Sequence, residues 1–326
     1  MKAGYIVTEG SAARIEVREA PIPEPKTNEV LVRVRASSMN RGELFVGVGA
    51  YGRGASGARP AGSEAAGEVE RLGEGVAGFA PGERVMGRCK GGFAEHALFD
   101  ARELMRVPDR LSWEEAASIP IVFLVAYDML VVNGRLRPGE WVLITAATSG
   151  VGVACVQIVK ALGARSIGTS GSEAKLARLR ALGVDVGVRT REGNFVEEVM
   201  RATDGRGADL VVNNVGGSVF PACQAVLGYR GRFATVGYVD GVMRTELDIE
   251  ALHTKRQHFF GVSNRLRTAE ERAETVRGFV ADLLPTIGAG AIRPVIERVF
   301  DLDDLPAAKQ YMESNAHLGK IAVRVA

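Results

Sequence analysis

Cysteine and histidine are scarce in this chain of 326 residues. The three cysteines, Cys89, Cys155 and Cys223, lie far apart, so no C-x-x-C pair, disulfide framework or zinc ribbon can be written. The four histidines, His96, His253, His258 and His317, form no H-E-x-x-H. An excess of one charge is also missing. Lys plus Arg number 41 against 39 for Asp plus Glu, a net of +2, which leaves no electrostatic footprint for nucleic acid or an anionic membrane. The longest apolar stretch, Ile119 to Val132, contains Pro120 and Asp128 and is too short to span a bilayer. Lys2, Glu9 and Arg14 interrupt the first residues, so no secretory leader is expected. These absences point to a soluble protein of a reducing, cytoplasmic compartment.

Glycine, by contrast, is plentiful at 40 residues, with no collagen-like period, and marks turns and close backbone approaches. An apolar fraction of 46% and a charged fraction of 25% are those of a globular chain. The length suits one large or two ordinary domains of ~150 residues.

Two textures divide the sequence. Up to about residue 110, short alternating runs are punctuated by Gly and Pro. Val30 to Arg35, Ala66 to Gly73 and Glu83 to Gly87 read as strands of a compact β-rich, barrel-like domain. The glycine-rich stretch 47–62 reads as a loop. Ser112 and Glu115 spell a capping box at a helix start. Thereafter strands alternate with helices. Strands are expected at Trp141 to Thr145, Arg165 to Thr169, Val184 to Val188, Ala208 to Asn213, Arg232 to Val236 and Phe259 to Val262. Helices are expected at Val151 to Leu162 and Ser172 to Leu182, each followed by glycine. That alternation predicts βαβ units and a parallel sheet. One long helix, Thr268 to Ile287, and two strands, Val295 to Val299 and Ile321 to Val325, follow; the strands are candidates to return to the first domain.

The first βα turn carries the chemistry. Ala147, Thr148, Ser149, Gly150, Val151 and Gly152 stand after a buried strand and at a helix start, where amides and dipole favour a pyrophosphate. Ala147 and Ser149 replace the first two glycines of G-x-G-x-x-G, and Gly152 keeps the third. At the end of the second strand an NAD site carries an acid for the ribose 2′-hydroxyl. Here the residues are Ser170, Gly171 and Ser172, with Lys175 one turn on. Hydroxyls and a cation without an acid suit a 2′-phosphate, hence NADPH. The alternative is an N-capped helix with a solvated lysine.

Taken in order, several runs resemble one family, the zinc-independent, zeta-crystallin-like quinone oxidoreductases of the medium-chain dehydrogenase/reductase superfamily. The runs are Pro60 to Val69, Gly75 to Val85, Gly92 to Glu95, Ala147 to Gly152, Asn213 to Gly217, Gly231 to Gly237 and His317 to Lys320. The resemblance implies an α/β protein. A GroES-like β-rich catalytic domain is formed by 1–115 and a returning 267–326, and a doubly wound Rossmann domain occupies 116–266. NADPH and a small-molecule acceptor would share the cleft between them. Zinc alcohol dehydrogenases carry Cys-His-x-Asp and Gly-His-Glu runs. The matching positions here are Asn40-Arg41-Gly42-Glu43 and Gly62-Ser63-Glu64, so no metal is expected.

Without a Lewis acid, alcohol oxidation is hard, whereas a quinone or conjugated enone carries its own electron sink. The resemblance makes Asn40 a hydrogen-bond donor in the substrate cleft and Tyr51 a donor or acid there. It also points to cofactor contacts by Asn214, Val215, Gly237 and Lys320, the last with a strand-start role as the alternative. There are departures: Phe45 stands where a tyrosine is common, and Thr190 where another is, followed by Arg191. Arg191 offers a charge-assisted phosphate contact, or is a solvated surface arginine. Cys155 reads as a core residue, and His253 and His258 as surface or interface groups. The strand at Phe259 would be an exposed edge unless paired, and in the family such a strand joins its twin in a homodimer. The expected activity is NADPH-dependent reduction of a quinone or an α,β-unsaturated carbonyl. Two alternatives remain: an enoyl-thioester reductase using Arg41, Arg53 and Arg59, and an NADPH-binding sensor or structural protein without relevant turnover.

Overall fold

The computed structural model describes residues 1–9, 12–44 and 57–325. The chain divides into two compact units, Met1–Leu124 with Arg267–Ala326, and Val125–Leu266.

The first unit opens with β1 (Lys2–Glu9), β2 (Ala12–Glu19), β3 (Glu29–Ser38), β4 (Gly57–Pro60), β5 (Glu64–Leu72), β6 (Arg84–Lys90) and β7 (His96–Arg106). Strand β3 pairs antiparallel with both β5 and β7, and β6 bridges those two, so four strands close on themselves. Closure removes the free edges that an open antiparallel sheet would present. Val30, Val32 and Val34 of β3 turn inward with Val85, Phe93 and Phe99, and all six are buried. The expected loop at 47–62 is corrected at its end, because residues 57–60 are β4, paired antiparallel with β1 from Tyr5↔Pro60 to Thr8↔Gly57. Phe45, Tyr51 and Arg53 lie outside the described residues.

The second unit holds β8 (Trp141–Ile144), β9 (Arg165–Ser170), β10 (Val186–Arg189), β11 (Ala208–Asn213), β12 (Leu227–Thr235) and β13 (His258–Gly261). They form one parallel sheet in the order β10-β9-β8-β11-β12-β13. This is the doubly wound order, which reverses between its first strand, β8, and its fourth, β11. Helix Gly150–Ala161 is buried from Gly152 through Val159, as a crossover helix pressed on a sheet requires. Phe220, Phe233 and Phe259 stack with centroids 4.5 to 5.6 Å apart beneath the β12–β13 end.

The chain then returns to the first unit. The helix expected from 268 to 287 is broken into Ala269–Asp282 and Leu284–Gly288. Pro285 explains the break, since it has no N–H to donate and its ring clashes with the carbonyl four residues back. Strands β14 (Ile296–Asp301) and β15 (Lys320–Arg324) run parallel, joined through helix Leu305–Glu313, which the sequence pattern did not predict. Strand β15 then pairs antiparallel with β3, Ala322 opposite Ser38. That register carries the start of β15 to the end of β3, and so brings Lys320 to Asn40. Among the described residues no helix is long and apolar enough to cross a membrane.

The capping box forms as expected, Ser112 Oγ accepting from Glu115 N and the Glu115 carboxylate from Ser112 N. Ser112→Ala should destabilise the protein by about 1 kcal/mol in urea unfolding, and Ser112→Thr by much less.

Candidate functional site

In the second unit the chemistry gathers at the carboxyl ends of the parallel strands. After β8, Ala146 turns through a left-handed φ of 47° and Ser149 caps the next helix, its Oγ accepting from Gly152 N at 3.1 Å. The first-turn amides of such a helix have no intrahelical acceptor and face outward. Ala147 is buried, whereas Thr148, Ser149, Gly150 and Val151 are half-buried. At Gly152 a Cβ would stand 2.6 Å from both the Ala146 oxygen and the Ala147 Cα. Only glycine allows this helix–strand contact, the role of the third glycine in a dinucleotide turn.

After β9, Ser170 is buried and its Oγ accepts from Ser172 N at 3.3 Å. Ser172 caps helix Glu173–Leu182 by accepting from Lys175 N at 3.4 Å. At Gly171 a Cβ would lie 2.5 Å from Arg191 Nε and 2.6 Å from Arg191 Cγ. The Arg191 side chain, coming from the end of β10, therefore lies directly over the Ser170–Ser172 turn. Arg191 itself remains exposed there.

Strand β11 ends beside β8. Asn214 N donates to Thr145 Oγ1 at 2.9 Å, and Asn214 Nδ2 donates to the Thr145 carbonyl at 2.8 Å. A carbonyl only accepts, so Asn214 is held with its nitrogen toward Thr145 and its oxygen turned away. That Oδ1 is buried and has no partner among the described residues. Val215 N is held by Asn213 Oδ1 at 3.0 Å, and Gly237 lies next to the Asn214 carbonyl, 3.7 Å from where its Cβ would be. An orphaned buried acceptor, outward helix amides and a cation over Gly171 thus share one edge of one sheet, at and beside the point where strand order reverses. These are the features a dinucleotide uses.

The first unit carries a second cluster. Glu64 is fully buried and accepts from Ser38 Oγ at 2.6 Å, Asn40 Nδ2 at 2.7 Å, Lys320 Nζ at 2.9 Å and Ile121 N at 2.7 Å. Lys320 is 4% exposed and spends its three donors on Met39 O, Asn40 Oδ1 and Glu64. The lysine expected at the cofactor is thus engaged within its own unit. Asn40 is half-buried and uses both ends of its amide. Arg41 donates to Met312 O and Asn315 Oδ1, and Arg59 donates to Glu43 O. Tyr51 lies outside the described residues.

Sequence reasoning missed Glu43. Its Oε1 accepts from Asn40 N at 2.9 Å, while Oε2 is buried without a partner among the described residues. Burial pushes its carboxyl up to about 7, and the Asn40 N–H and Ser63 only partly oppose the shift. An acid three residues after Asn40, at the end of the run that replaces zinc ligands, was the available signal. Burial also raises the thiols of Cys155 and Cys223, as suits core groups.

The shift at Glu43 sets a pH dependence. The folded protein keeps a proton that the unfolded chain releases above its ordinary 4.5, so stability should fall as pH rises from 4.5 to about 7 and level off beyond. The fall should be about 3 kcal/mol. Unfolding free energies across that range should show the slope in the parent and a flatter profile in Glu43→Gln.

Comparison with known proteins accords with this architecture. Residues 26–109 match the alcohol dehydrogenase GroES-like domain, and residues 150–281 match the zinc-binding dehydrogenase family. A phenolphthiocerol/phthiocerol polyketide synthase protein of Mycobacterium tuberculosis is 34% identical over 317 residues, 97% of this chain, and the chain spans 14% of that protein's length. Among solved structures, an NAD-dependent alcohol dehydrogenase is 30% identical with a TM-score of 0.85, covering 100% of both chains. Mycobacterial Rv1454c complexed with NADPH is 27% identical with a TM-score of 0.89, over 99% of this chain and 100% of that one. The CurK enoyl reductase is 27% identical with a TM-score of 0.83, over 100% of this chain and 99% of that one. A closed β-rich unit interrupted by a doubly wound one, matched along its length by these proteins, makes the chain a member of the medium-chain dehydrogenase/reductase superfamily of NAD(P)-dependent oxidoreductases.

Proposed function

We propose that this oxidoreductase uses NADPH to reduce a quinone or an α,β-unsaturated carbonyl without zinc, as the zeta-crystallin-like branch of the superfamily does. The observation that carries the cofactor choice is Arg191 packed on Gly171 at the end of β9, where an NAD site would place an acid. Ser170, Ser172, Lys175 and Arg191 would hold the 2′-phosphate. The amides from Thr148 to Val151 would take the pyrophosphate, and Asn214 Oδ1 would accept from a ribose or carboxamide donor. When bound, the reduced nicotinamide supplies a hydride to an electron-poor carbon.

The residues of the first unit favour an acceptor of that kind. Asn40 and Ser63 stand at the ligand positions of the zinc enzymes, and the Lys320 ammonium already sits against Asn40, a poor neighbour for a second cation. Among the described residues no group of three or more His, Cys, Asp or Glu side chains comes together as a metal site would. What remains is a hydrogen-bond donor, Asn40, suited to charge developing on a carbonyl oxygen. Tyr51 is the proposed proton donor, with solvent as the other source.

A second reading is favoured by the likeness to the CurK enoyl reductase and the polyketide synthase relative. In it the acceptor is an enoyl thioester, whose conjugated carbonyl needs the same donor. Arg41 donates to Met312 and Asn315 and Arg59 to Glu43, and with Arg53 they are the candidates for a thioester's phosphate.

We also propose a homodimer through β13, which among the described residues pairs only with β12 and is the edge of the sheet. Sedimentation at micromolar concentration should give a two-chain mass; a monomer alone would remove the dimer.

The decisive experiment follows NADPH and NADH oxidation with a chelator present, using a simple quinone, an acyclic enone and an enoyl thioester. Turnover with NADPH should survive the chelator, and the preferred acceptor separates the two readings. Arg191→Ala should raise the Kd for NADPH by roughly 10-fold, on the scale of a lost charge-assisted contact, and leave that for NADH unchanged. Tight NADPH binding with no turnover would instead favour a sensor or structural role.

A further inference from the structure

The network around Asn40 goes beyond making it available as a donor. An asparagine amide presents an oxygen and an NH2 of nearly equal size, and in an ordinary site either can face a ligand. Here neither end is free to choose. The ammonium of Lys320 only donates, so it must face Oδ1, at 2.8 Å. The carboxylate of Glu64, accepting from Ser38, Ile121 and Lys320, must face Nδ2, at 2.7 Å. One amide proton goes to Glu64, and the second has no partner among the described residues. The orientation of the half-buried amide is therefore fixed, and its second N–H is the donor it holds for an incoming molecule.

The locking pair is itself nearly dry, Lys320 being 4% exposed and Glu64 0%. A buried ion pair of this kind contributes little net stability compared with apolar packing, so its retention calls for another reason. We infer that Lys320 and Glu64 are positioning residues that fix the orientation of Asn40 so that its remaining N–H meets an oxyanion, favouring acceptors that gain charge on oxygen. The inference rests on the reductase reading above. Addition of a hydride to the acceptor's carbon moves an electron pair onto its carbonyl oxygen. The Asn40 N–H hydrogen-bonds that oxygen without giving up its proton. One proton from water or a protein acid then completes the product.

The lock can be tested with and without turnover. The paired variant Lys320→Met/Glu64→Gln removes both charges together and leaves no unpaired buried ion. Its binding of 4-nitrophenolate, a stable oxyanion probe, should be at least 10-fold weaker than in the parent, with both proteins saturated with NADP+. In parent protein labelled with 15N-asparagine, the probe should shift an Asn40 side-chain proton, assigned by its loss in Asn40→Asp. In acceptor assays, kcat should fall at least 10-fold, with the acceptor KM and the NADPH Kd each within about 3-fold of the parent. Lys320→Arg, which keeps the charge, should recover part of the loss, and it serves as the test variant if the paired one does not fold. In that case a kcat loss smaller than that of Asn40→Asp, with unchanged probe-free NADP+ affinity, is expected.

Equal phenolate affinity in parent and variant, a probe that leaves the Asn40 amide unmoved, or no phenolate binding by the parent would overturn the inference. Unchanged kcat in an active variant would overturn it while leaving the reductase reading intact. A parent that binds phenolate through Asn40 yet reduces no acceptor would overturn the reductase reading alone.

Discussion

The ion pair between Lys320 and Glu64 is the buried charge contact that ties the distant ends of the first unit's sequence together. It joins the last strand, β15, to β5, and through Asn40 to the end of β3, across a sequence separation of 256 residues. Removing either partner alone would strand a charge in a dry interior, a loss on the order of 3–5 kcal/mol. The surrounding hydrogen bonds make the burial tolerable: Glu64 receives four donors and Lys320 places all three of its own. Glu43 lies near this pair, and burial outweighs the attraction of Lys320, pushing its carboxyl up to about 7. The cluster thus contains one compensated charge pair and one acid near neutrality, both within reach of Asn40.

The second unit solves a different problem. A parallel sheet points every strand's carboxyl end to the same edge, so turns distant in sequence meet there. Gly152 lets a helix press against the first turn, and Gly171 lets the Arg191 side chain lie across the second. Asn214, fixed by the Thr145 carbonyl, leaves a buried acceptor without a partner among the described residues, which carries a desolvation cost. These positions differ in kind: the glycines make room, while Arg191 and Asn214 bring a cation and a hydrogen-bond acceptor to the same sheet edge.

Much of this is legible in the sequence. Strand and helix starts in the second unit follow local rules, so Ala208 to Asn213 has the bounds its pattern predicts, and the hydroxyls of Ser149 and Ser172 place both at helix starts. The break at Pro285 is also written in the chain, but helical periodicity on either side of it masks the signal. Strand β4 escapes notice because its glycine and arginine carry no strand pattern. It exists because β1 offers an edge to pair with. The resemblance points Lys320 to the cofactor or to a strand start, and its neighbours in sequence say nothing of its contacts with Met39, Asn40 and Glu64.

By itself, the sequence determined the alternation of strands and helices, the dinucleotide-type turn, the missing acid after the second strand and the loss of the Cys and His found in zinc enzymes. Those depend on periodicity, capping and residue identity, which act over a few neighbouring positions. Only the tertiary structure decided that Arg191 covers Gly171, that the Lys320 donors are spent on Met39, Asn40 and Glu64, and that Glu43 is buried deeply enough for desolvation to outweigh the pull of Lys320. Each of these is a contact between segments brought together by strand register and sheet order. Electrostatic consequences in a dry interior follow from such contacts and from no local pattern.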